Sequence, residues 1–135
     1  MQLSLLQGVL KTVRAGIIVI DAEQRIVIWN QWMEQHSQLA SANIQGKTFA
    51  SVFPDMVDGR THVAIRAALE NNFASLLSQT LNKAPFPLFA NPADAANSVR
   101  MQQAVHVMPL EIDSLPRHCV VQISDVSMAV AREKK

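Results

Sequence analysis

The chain has 135 residues, of which 49% are hydrophobic and 17% are charged, and its formal net charge at pH 7 is +1. This composition is typical of one globular domain and excludes a disordered chain. Lysine and arginine are scattered, so neither nucleic acid nor an anionic membrane surface is indicated as a partner. The longest apolar run, residues 15–20, is far shorter than the roughly 20 residues of a membrane span. The single cysteine, Cys119, excludes an intrachain disulfide and favours a cytoplasmic location.

The first predicted element is an amphipathic helix over residues 1–14. Its large apolar side chains recur at spacings of three, four and three residues, which places them on one stripe of a helix. The stripe consists of Leu3, Leu6, Leu10 and Val13.

A β-hairpin is predicted over residues 16–30, GIIVIDAEQRIVIWN. Two β-branched runs flank the polar segment DAEQ, which is typical of a turn. A hairpin with one face in water alternates apolar and polar residues, but these runs are apolar at odd-numbered and even-numbered positions alike. Both faces are therefore expected to be covered, one by the helices that follow and the other by the stripe of the first helix or by a second copy of the chain.

Three helices are predicted between the hairpin and residue 72. Asn30 is placed as the N-cap of the first, because its side-chain oxygen can accept a hydrogen bond from a free amide of the first turn. Thr48 is placed in the same way at the start of the second helix, which Pro54 ends. The third helix ends at Asn71–Asn72, and its apolar side is predicted to carry Val63, Ile65, Ala68 and Leu69.

Strand patterns return after the third helix. Residues 73–81 favour a strand, and residues 84–98 are predicted to be a surface loop because three prolines lie there among small residues. Residues 101–112 alternate as a strand does, with Pro109 forcing a bulge or an edge.

The last strand is predicted at residues 118–124, and residues 125–135 turn helical and charged. One face of this strand is expected to carry Cys119, Val121 and Ile123. The whole order of elements predicts an α+β fold, a five-stranded antiparallel sheet with helices inserted between strands 2 and 3.

Three segments of the chain resemble the PAS family of sensory modules: GIIVIDAEQRIVIWNQWMEQHS, IQGKTFASVFP and VVQISDVS. The family pattern has a strand ending in Asp, a strand running into Asn, a turn before a short helix ending in Pro, and a last strand ending in Asp, an aliphatic residue and Ser or Thr. The matching positions are Asp21, Asn30, Gly46, Pro54, Asp125 and Ser127. The resemblance covers residues 15–127, and LLSQTLNKAPFPL is similar to PAS domains that precede diguanylate cyclase domains in bacteria.

The resemblance implies a non-catalytic bacterial sensory module that is often dimeric and passes a signal into a following helix. The expected organisation is the amphipathic helix at 1–14, the PAS core at 15–127 and the start of a linker helix to an output domain at 128–135. Asp125 and Ser127 are the candidate signal relay. We expect a homodimer whose interface includes the stripe of the first helix. The alternative of a different class is a protein-interaction domain that binds no ligand.

His62 is the sharpest cofactor candidate, since a histidine on the equivalent helix ligates the iron in haem-binding PAS domains. The other interpretation is an exposed histidine in the first turn of a helix. The cysteine motif of flavin-binding relatives is absent after Asn30, which argues against a cysteinyl flavin adduct and leaves a non-covalent flavin as the alternative. The four histidines have no i, i+4 spacing typical of a metal site. We therefore expect a colourless protein with no metal.

Five apolar residues are predicted to line a pocket for an apolar small molecule: Ile28, Trp32, Met33, Ile65 and Leu69. The other interpretation is that they fill the core, as large apolar side chains usually do. The sequence groups no nucleophile with a base and has no glycine-rich phosphate loop, so we expect no catalytic residues and no enzymatic activity.

Overall fold

The computed structural model describes residues 2–133, with the side chains of residues 4–132. None of the helices in this range combines the length and the hydropathy that a membrane crossing requires. The elements in chain order are α1 (Gln2–Thr12), β1 (Gly16–Ile20), β2 (Ile26–Trp29), α2 (Gln31–Ser37), α3 (Ser41–Ile44), α4 (Phe49–Val52), a 3-10 helix (Pro54–Met56), α5 (Arg60–Asn71), β3 (Ser75–Leu77), α6 (Gln79–Asn82), α7 (Pro92–Ala96), β4 (Gln103–Leu110), β5 (His118–Asp125) and α8 (Ser127–Glu133).

The five strands form one antiparallel sheet in the order β2-β1-β5-β4-β3. This confirms the predicted α+β fold with helices inserted between the second and third strands. The first strand lies beside the last, with Gly16 opposite Ile123 and Ile20 opposite Cys119. Since β4 pairs with β5 along its whole length, the two longest strands lie next to each other near the middle of the sheet.

The predicted hairpin turn is closed by the side chain of Asp21. Its Oδ1 accepts hydrogen bonds from the backbone N–H groups of Glu23 and Arg25, both at 2.9 Å. Gln24 takes a left-handed conformation with φ of 65°. A register shift between Val19 and Ile20 places Ile20 opposite Ile26, and both of these side chains are fully buried.

The core lies between one face of the sheet and the helices of the inserted segment. Alternate residues of β4 and β5 face it and are fully buried, as the pattern of the last strand predicted. They are Val105, Val107, Cys119, Val121 and Ile123.

The predicted apolar side of α5 is wrong at one position, since Val63 is 49% exposed. The buried positions of this helix follow a spacing of three and four residues along a stripe that is one residue out of phase with Val63. Small side chains on that stripe, Ala64 and Ala68, let the helix approach the sheet closely. The buried residues are Thr61, His62, Ala64, Ile65 and Ala68.

The prediction of a surface loop at residues 84–98 is confirmed for residues 90–98, which are mostly exposed, but it is wrong at Phe86 and Leu88, which are buried. We call residues 84–101, between α6 and β4, the strap. The strap contains the short helix α7, and it places two side chains, Phe86 and Leu88, in the core with no exposed surface. Its prolines mark irregular backbone, as predicted, but irregular backbone is not the same as exposed backbone.

The third strand and Pro109 follow the prediction more closely. β3 covers only Ser75–Leu77 of the predicted 73–81 strand, and α6 takes up the rest. Pro109 lies opposite Cys119 without a register shift. Because β3 pairs only with residues 105–107, Pro109 is at an unpaired edge on that side, where its missing N–H leaves no gap in the ladder.

Helix α1 contacts α2 and borders a groove beside β2. Its predicted stripe divides: Leu10 and Val13 are half-buried, whereas Leu6 is 60% exposed. The side chain of Leu3 lies outside the described residues, as do residues 134–135 of the predicted linker helix. On the outer face of the hairpin, Ile28 remains 37% exposed, so α1 of the same chain leaves part of that face open.

Candidate functional site

A buried asparagine joins the hairpin to the inserted helices. Asn30 is 5% exposed and caps α2, because its Oδ1 accepts a hydrogen bond from the N–H of Met33 at 3.1 Å. The same oxygen accepts from the N–H of Ile17 at 3.1 Å, and its Nδ2 donates to the carbonyl of Ala15 at 2.9 Å. The predicted N-cap is confirmed, and its amide also holds the start of β1.

Three phenylalanine rings fill the interior between the helices and the sheet. The ring centroids of Phe49 and Phe53 are 5.3 Å apart, and Phe86 of the strap lies edge-on at 5.2 Å from Phe53 and 6.4 Å from Phe49. Edge-to-face contacts at these distances are favourable for aromatic pairs. The strap thus supplies one third of the aromatic cluster.

Gln103, at the start of β4, anchors the strap through its side chain and is fully buried. Its Oε1 accepts from the N–H of Phe86 at 2.9 Å, and its Nε2 donates to the carbonyl of the same residue at 2.8 Å. The backbone N–H of Gln103 donates to the carbonyl of Lys83 at 2.8 Å, so both ends of the strap meet at this residue. Gln103 was not among the predicted site residues, since a glutamine at the start of a strand gives no local signal of burial.

The middle of the strap is held by α2. His36 accepts a hydrogen bond from the N–H of Phe89 on its backbone carbonyl at 2.9 Å. Its ring Nδ1 lies 2.7 Å from the carbonyl of Phe89, and because a carbonyl only accepts, Nδ1 carries the hydrogen. The segment PFPLF at residues 85–89 was the available signal, since it alternates apolar side chains with proline as an extended buried segment does.

His62 is buried, so the interpretation of an exposed histidine in the first turn of a helix is wrong. Its ring stacks on that of Phe49, with the ring centroids 5.3 Å apart. Its Nδ1 accepts from the N–H of Asp58 at 3.0 Å, so Nε2 carries the hydrogen and donates to Oε1 of Gln24 at 2.8 Å. Burial lowers the pKa of His62 and the charge of Arg66 lowers it further, while Asp58 opposes both. Because both ring nitrogens have protein partners, iron ligation here requires breaking one of these bonds.

The structure brings four of the five predicted pocket residues to the core. Met33 and Ile65 are fully buried there, and Trp32 and Leu69 pack against it. Ile28 lies apart, on the outer face of the hairpin. The three phenylalanines and the two buried side chains of the strap, Phe86 and Leu88, belong to the same core cluster.

A groove of about 710 Å³ lies outside the core, between α1, β2, α2 and α3. Its lining mixes polar side chains of the helices with backbone and side chains of β2. The residues are Gln7, Leu10, Lys11, Val27, Ile28, Trp29, Asn30, Gln31, Glu34, Ser41 and Gln45. Within residues 2–133, no group of three or more acidic, histidine or cysteine side chains is placed to bind a metal ion.

The two predicted relay residues meet at the exit from β5. Oδ1 of Asp125 accepts from the N–H of Ser127 at 2.9 Å, which turns the strand into α8. Oγ of Ser127 then accepts from the N–H of Gln102 at 3.0 Å, and the carbonyl of Gln102 accepts from the N–H of Val126 at 2.9 Å. The exit is therefore bound to the residue directly before Gln103.

Cys119 is the only thiol of the chain, and it is fully buried in the sheet. Burial raises its pKa to about 12. A thiol in this environment stays protonated and is a poor nucleophile, so its role is packing, as its place on the last strand predicted.

Comparison with known proteins gives one family match and many structural matches. The family model described as "PAS fold" matches residues 10–127. No match is found among curated proteins. The structure is similar to a sensory box sensor histidine kinase from Vibrio cholerae, with 20% identity, 93% of this chain and 92% of that chain covered, and a TM-score of 0.63.

Two further solved structures show the same fold. The PAS domain of the histidine kinase ThkA is 18% identical, with 82% of this chain and 98% of that chain covered and a TM-score of 0.60. The PAS domain of nitrogen regulation protein NR(II) from Vibrio parahaemolyticus is 11% identical, with 90% and 97% covered and a TM-score of 0.55.

Proposed function

The chain belongs to the PAS fold family, and from that membership we propose that it is a non-catalytic sensory module of a bacterial signalling protein. The observation that carries the proposal is the exit at Asp125 and Ser127, which hydrogen-bonds α8 to the edge of the core at Gln102. A change of packing in the core would reach α8 through these bonds, and α8 would pass it to a C-terminal output domain. A diguanylate cyclase is our candidate for that domain, on the resemblance of residues 76–88.

The ligand that would drive this change is proposed to be an apolar small molecule that enters the core beside Trp32, Met33, Ile65 and Leu69. Ile28, the fifth residue of the predicted pocket, is not included because it lies on the outer face of the hairpin. Haem ligation by His62 is the weaker alternative, since both of its ring nitrogens already have protein partners. We propose a cytoplasmic location for the domain.

We further propose a homodimer formed through α1. Three large apolar residues of this helix are exposed in the single chain, namely Leu5, Leu6 and Val9 at 66%, 60% and 50%. The exposed Ile28 of the hairpin lies beside the same helix, across the groove that Leu10 lines. Pairing two copies would remove this apolar surface from water, at roughly 25 cal/mol per Å² buried.

Light scattering tests the dimer. The wild type should be a dimer at tens of micromolar, and Leu6→Asp with Leu10→Asp should convert it to a monomer that keeps the circular dichroism of the folded domain. A wild-type monomer at these concentrations would exclude the homodimer.

The relay is tested in a fusion to a diguanylate cyclase domain by replacing Ser127 with alanine, which removes the bond to the N–H of Gln102. Regulation should be lost while the melting temperature of the isolated domain changes by a few degrees at most. Ser124→Ala is the matched control, because Ser124 lies on β5 just before the exit, opposite Ala104. Normal regulation in the Ser127 variant would exclude the relay.

Native mass spectrometry separates the sensor from the alternative of a protein-interaction domain without a ligand. A defined small molecule that copurifies with the wild type supports the sensor. A protein that carries no small molecule after exposure to a cell extract supports the interaction domain.

A further inference from the structure

The strap is anchored differently from the rest of the core. Within residues 84–101 the described backbone pairs with no strand of the sheet, and its helix α7 has five residues. The strap is held to the rest of the domain by the side chain of Gln103 and by the ring and the backbone carbonyl of His36. Arg100 braces it internally by donating to the carbonyls of Ala84 and Pro85 at 3.2 Å. The strap can therefore detach without breaking a single bond of the sheet.

The strap also fills the space that a ligand of this core would need. Phe86 and Leu88 have no exposed surface. Phe86 contacts the rings of Phe49 and Phe53 edge-on, and Leu88 belongs to the same core cluster. Residues of all surrounding layers contribute to the same core cluster, including Phe49, Met33 and Val105. Removing the two strap side chains would leave an apolar chamber among these residues.

We propose that the strap is a built-in plug of the ligand site, displaced when a ligand of matching chemistry enters. This inference rests on the proposed sensory function and specifies the ligand. The ligand would carry a compact apolar group to replace the Phe86 ring. It would also carry an adjacent N–H donor and C=O acceptor, as an amide does.

The amide requirement follows from Gln103. Its buried carboxamide accepts from the N–H of Phe86 and donates to the carbonyl of the same residue, and its Nε2 also donates to the carbonyl of Met101 at 3.2 Å. When the strap leaves, both groups lose their partners in an apolar environment, which is strongly unfavourable. A purely apolar molecule fills the chamber but leaves this amide unsatisfied, so it competes poorly with the strap.

Displacement of the plug has a direct path to the exit. Gln103 holds the strap, while the preceding residue, Gln102, holds Ser127 and Val126 through its backbone. The side-chain Oε1 of Gln102 also accepts from Nε2 of Gln79 in α6, at 2.8 Å. Loss of the strap from Gln103 thus frees the segment that binds both α6 and the start of α8.

Hydrogen exchange of the wild-type chain tests whether the plug opens. The amides of Phe86, Phe89 and Met101 are hydrogen-bonded within or to the strap. They should exchange together and at least about 100-fold faster than the amides of β5, through an opening that leaves the sheet intact. Equal protection of the strap and β5 would show that the strap opens only when the domain unfolds, and would overturn the proposal.

The substitution Gln103→Leu removes the two side-chain bonds to Phe86 and the one to Met101, and it introduces an apolar side chain of similar size. Exchange of the strap amides should rise a further tenfold or more, and resonances of α8 should shift with it. The matched control is Gln122→Leu, because Gln122 is a half-buried glutamine on β5 opposite His106, on the other face of the sheet. Equal effects of the two variants, or no effect on α8, would overturn the coupling. If Gln103→Leu fails to fold, the wild-type exchange and titration data decide.

Two probes test the ligand chemistry by titration of the wild type in NMR. Toluene matches the side chain of Phe86, and phenylacetamide adds an amide to the same ring. Phenylacetamide should bind at least about tenfold more tightly and should remove the exchange protection of the strap amides. Equal binding of the probes, or binding that leaves the strap protected, would overturn the proposal. These measurements need no output domain, so the plug can fail while the relay in the fusion holds, and the reverse.

Discussion

Two buried amide side chains, Asn30 and Gln103, hold irregular backbone at different places in this domain. Asn30 connects the start of β1, the end of β2 and the first turn of α2. Gln103 connects the start of β4 to the strap, which belongs to no sheet. The same chemical group thus closes a junction of three regular elements in one place and fastens a removable segment in the other.

This difference teaches that burial alone does not measure how strongly a residue supports the fold. Phe49 and Phe86 are both fully buried and lie in one aromatic cluster. Phe49 is carried by α4, whose first N–H donates to the carbonyl of Gln24 in the hairpin turn, whereas Phe86 is carried by the strap. If the strap can open while the rest of the domain stays folded, a substitution in the strap can lower the free energy of unfolding of the domain by no more than the free energy of that local opening.

The largest effects should therefore come from the two phenylalanines. Phe49→Ala should lower the free energy of unfolding by about 3–5 kcal/mol, the usual range for a fully buried phenylalanine. Phe86→Ala should lower it by clearly less, because the variant can release the strap and keep the sheet. Urea unfolding at equilibrium measures both values. Equal losses in the free energy of unfolding would show that the strap unfolds only together with the core.

The next largest effect is expected at Asn30, which joins β1, β2 and α2. Asn30→Ala leaves the N–H groups of Ile17 and Met33 without their acceptor in buried surroundings, and should lower the free energy of unfolding by about 3 kcal/mol. The control is Asn91→Ala, since Asn91 caps the short helix α7 in the strap and is exposed. We expect a loss of about 1 kcal/mol or less there. Similar losses for the two caps would contradict the distinction between junction and strap.

A smaller effect should appear with pH at His62, which joins the hairpin turn to the segment before α5. The pKa of His62 is lowered in the folded domain, so the unfolded chain binds the proton first as the pH falls. The stability should therefore decrease as the pH is lowered through about 6.5, the ordinary histidine value, and this loss should be smaller in His62→Gln. Urea unfolding at pH 7.5 and 5.5 gives the comparison. An identical pH dependence of the two proteins would show that another group is responsible.

The smallest effect concerns the ion pair beside that histidine. Arg66 and Asp58 approach to 3.0 Å, with 35% and 76% of their side chains exposed. Arg66→Gln should change the free energy of unfolding at pH 7.5 by less than about 1 kcal/mol, as for other exposed pairs. Because Arg66 lowers the pKa of His62, the same variant should weaken the pH dependence. A steeper dependence would contradict the assigned cause.

Several features of the candidate site were predictable because their causes are local. Asn30 was recognisable as a cap from its place after a strand and before a helical period, and Asp21 and Gln24 lie in a turn of polar residues. The alternation at Cys119, Val121 and Ile123 identified the buried face of β5. Each of these depends on contacts within a few residues or on a simple period, which one sequence contains.

Other features depended on partners far along the chain. The rotation of α5 buries His62 and exposes Val63, and it was set by how closely Ala64 and Ala68 let the helix approach the sheet. The periodicity of α5 alone was also compatible with the stripe that contains Val63, which lies next to the stripe that is buried. The alternation in PFPLF is compatible with burial of Phe86, but it does not identify Gln103, 17 residues further along the chain, as the partner.

By itself, the sequence determined the five strands and their antiparallel sheet, the main inserted helices, the turn and cap chemistry, and the family. Those depend on backbone preferences and on periods of two and about 3.6 residues, which are properties of short segments. Only the tertiary structure decided what occupies the core. Proline-rich backbone is compatible with exposure or burial, and the choice depends on whether distant side chains, here Gln103 and His36, meet its free N–H and C=O groups.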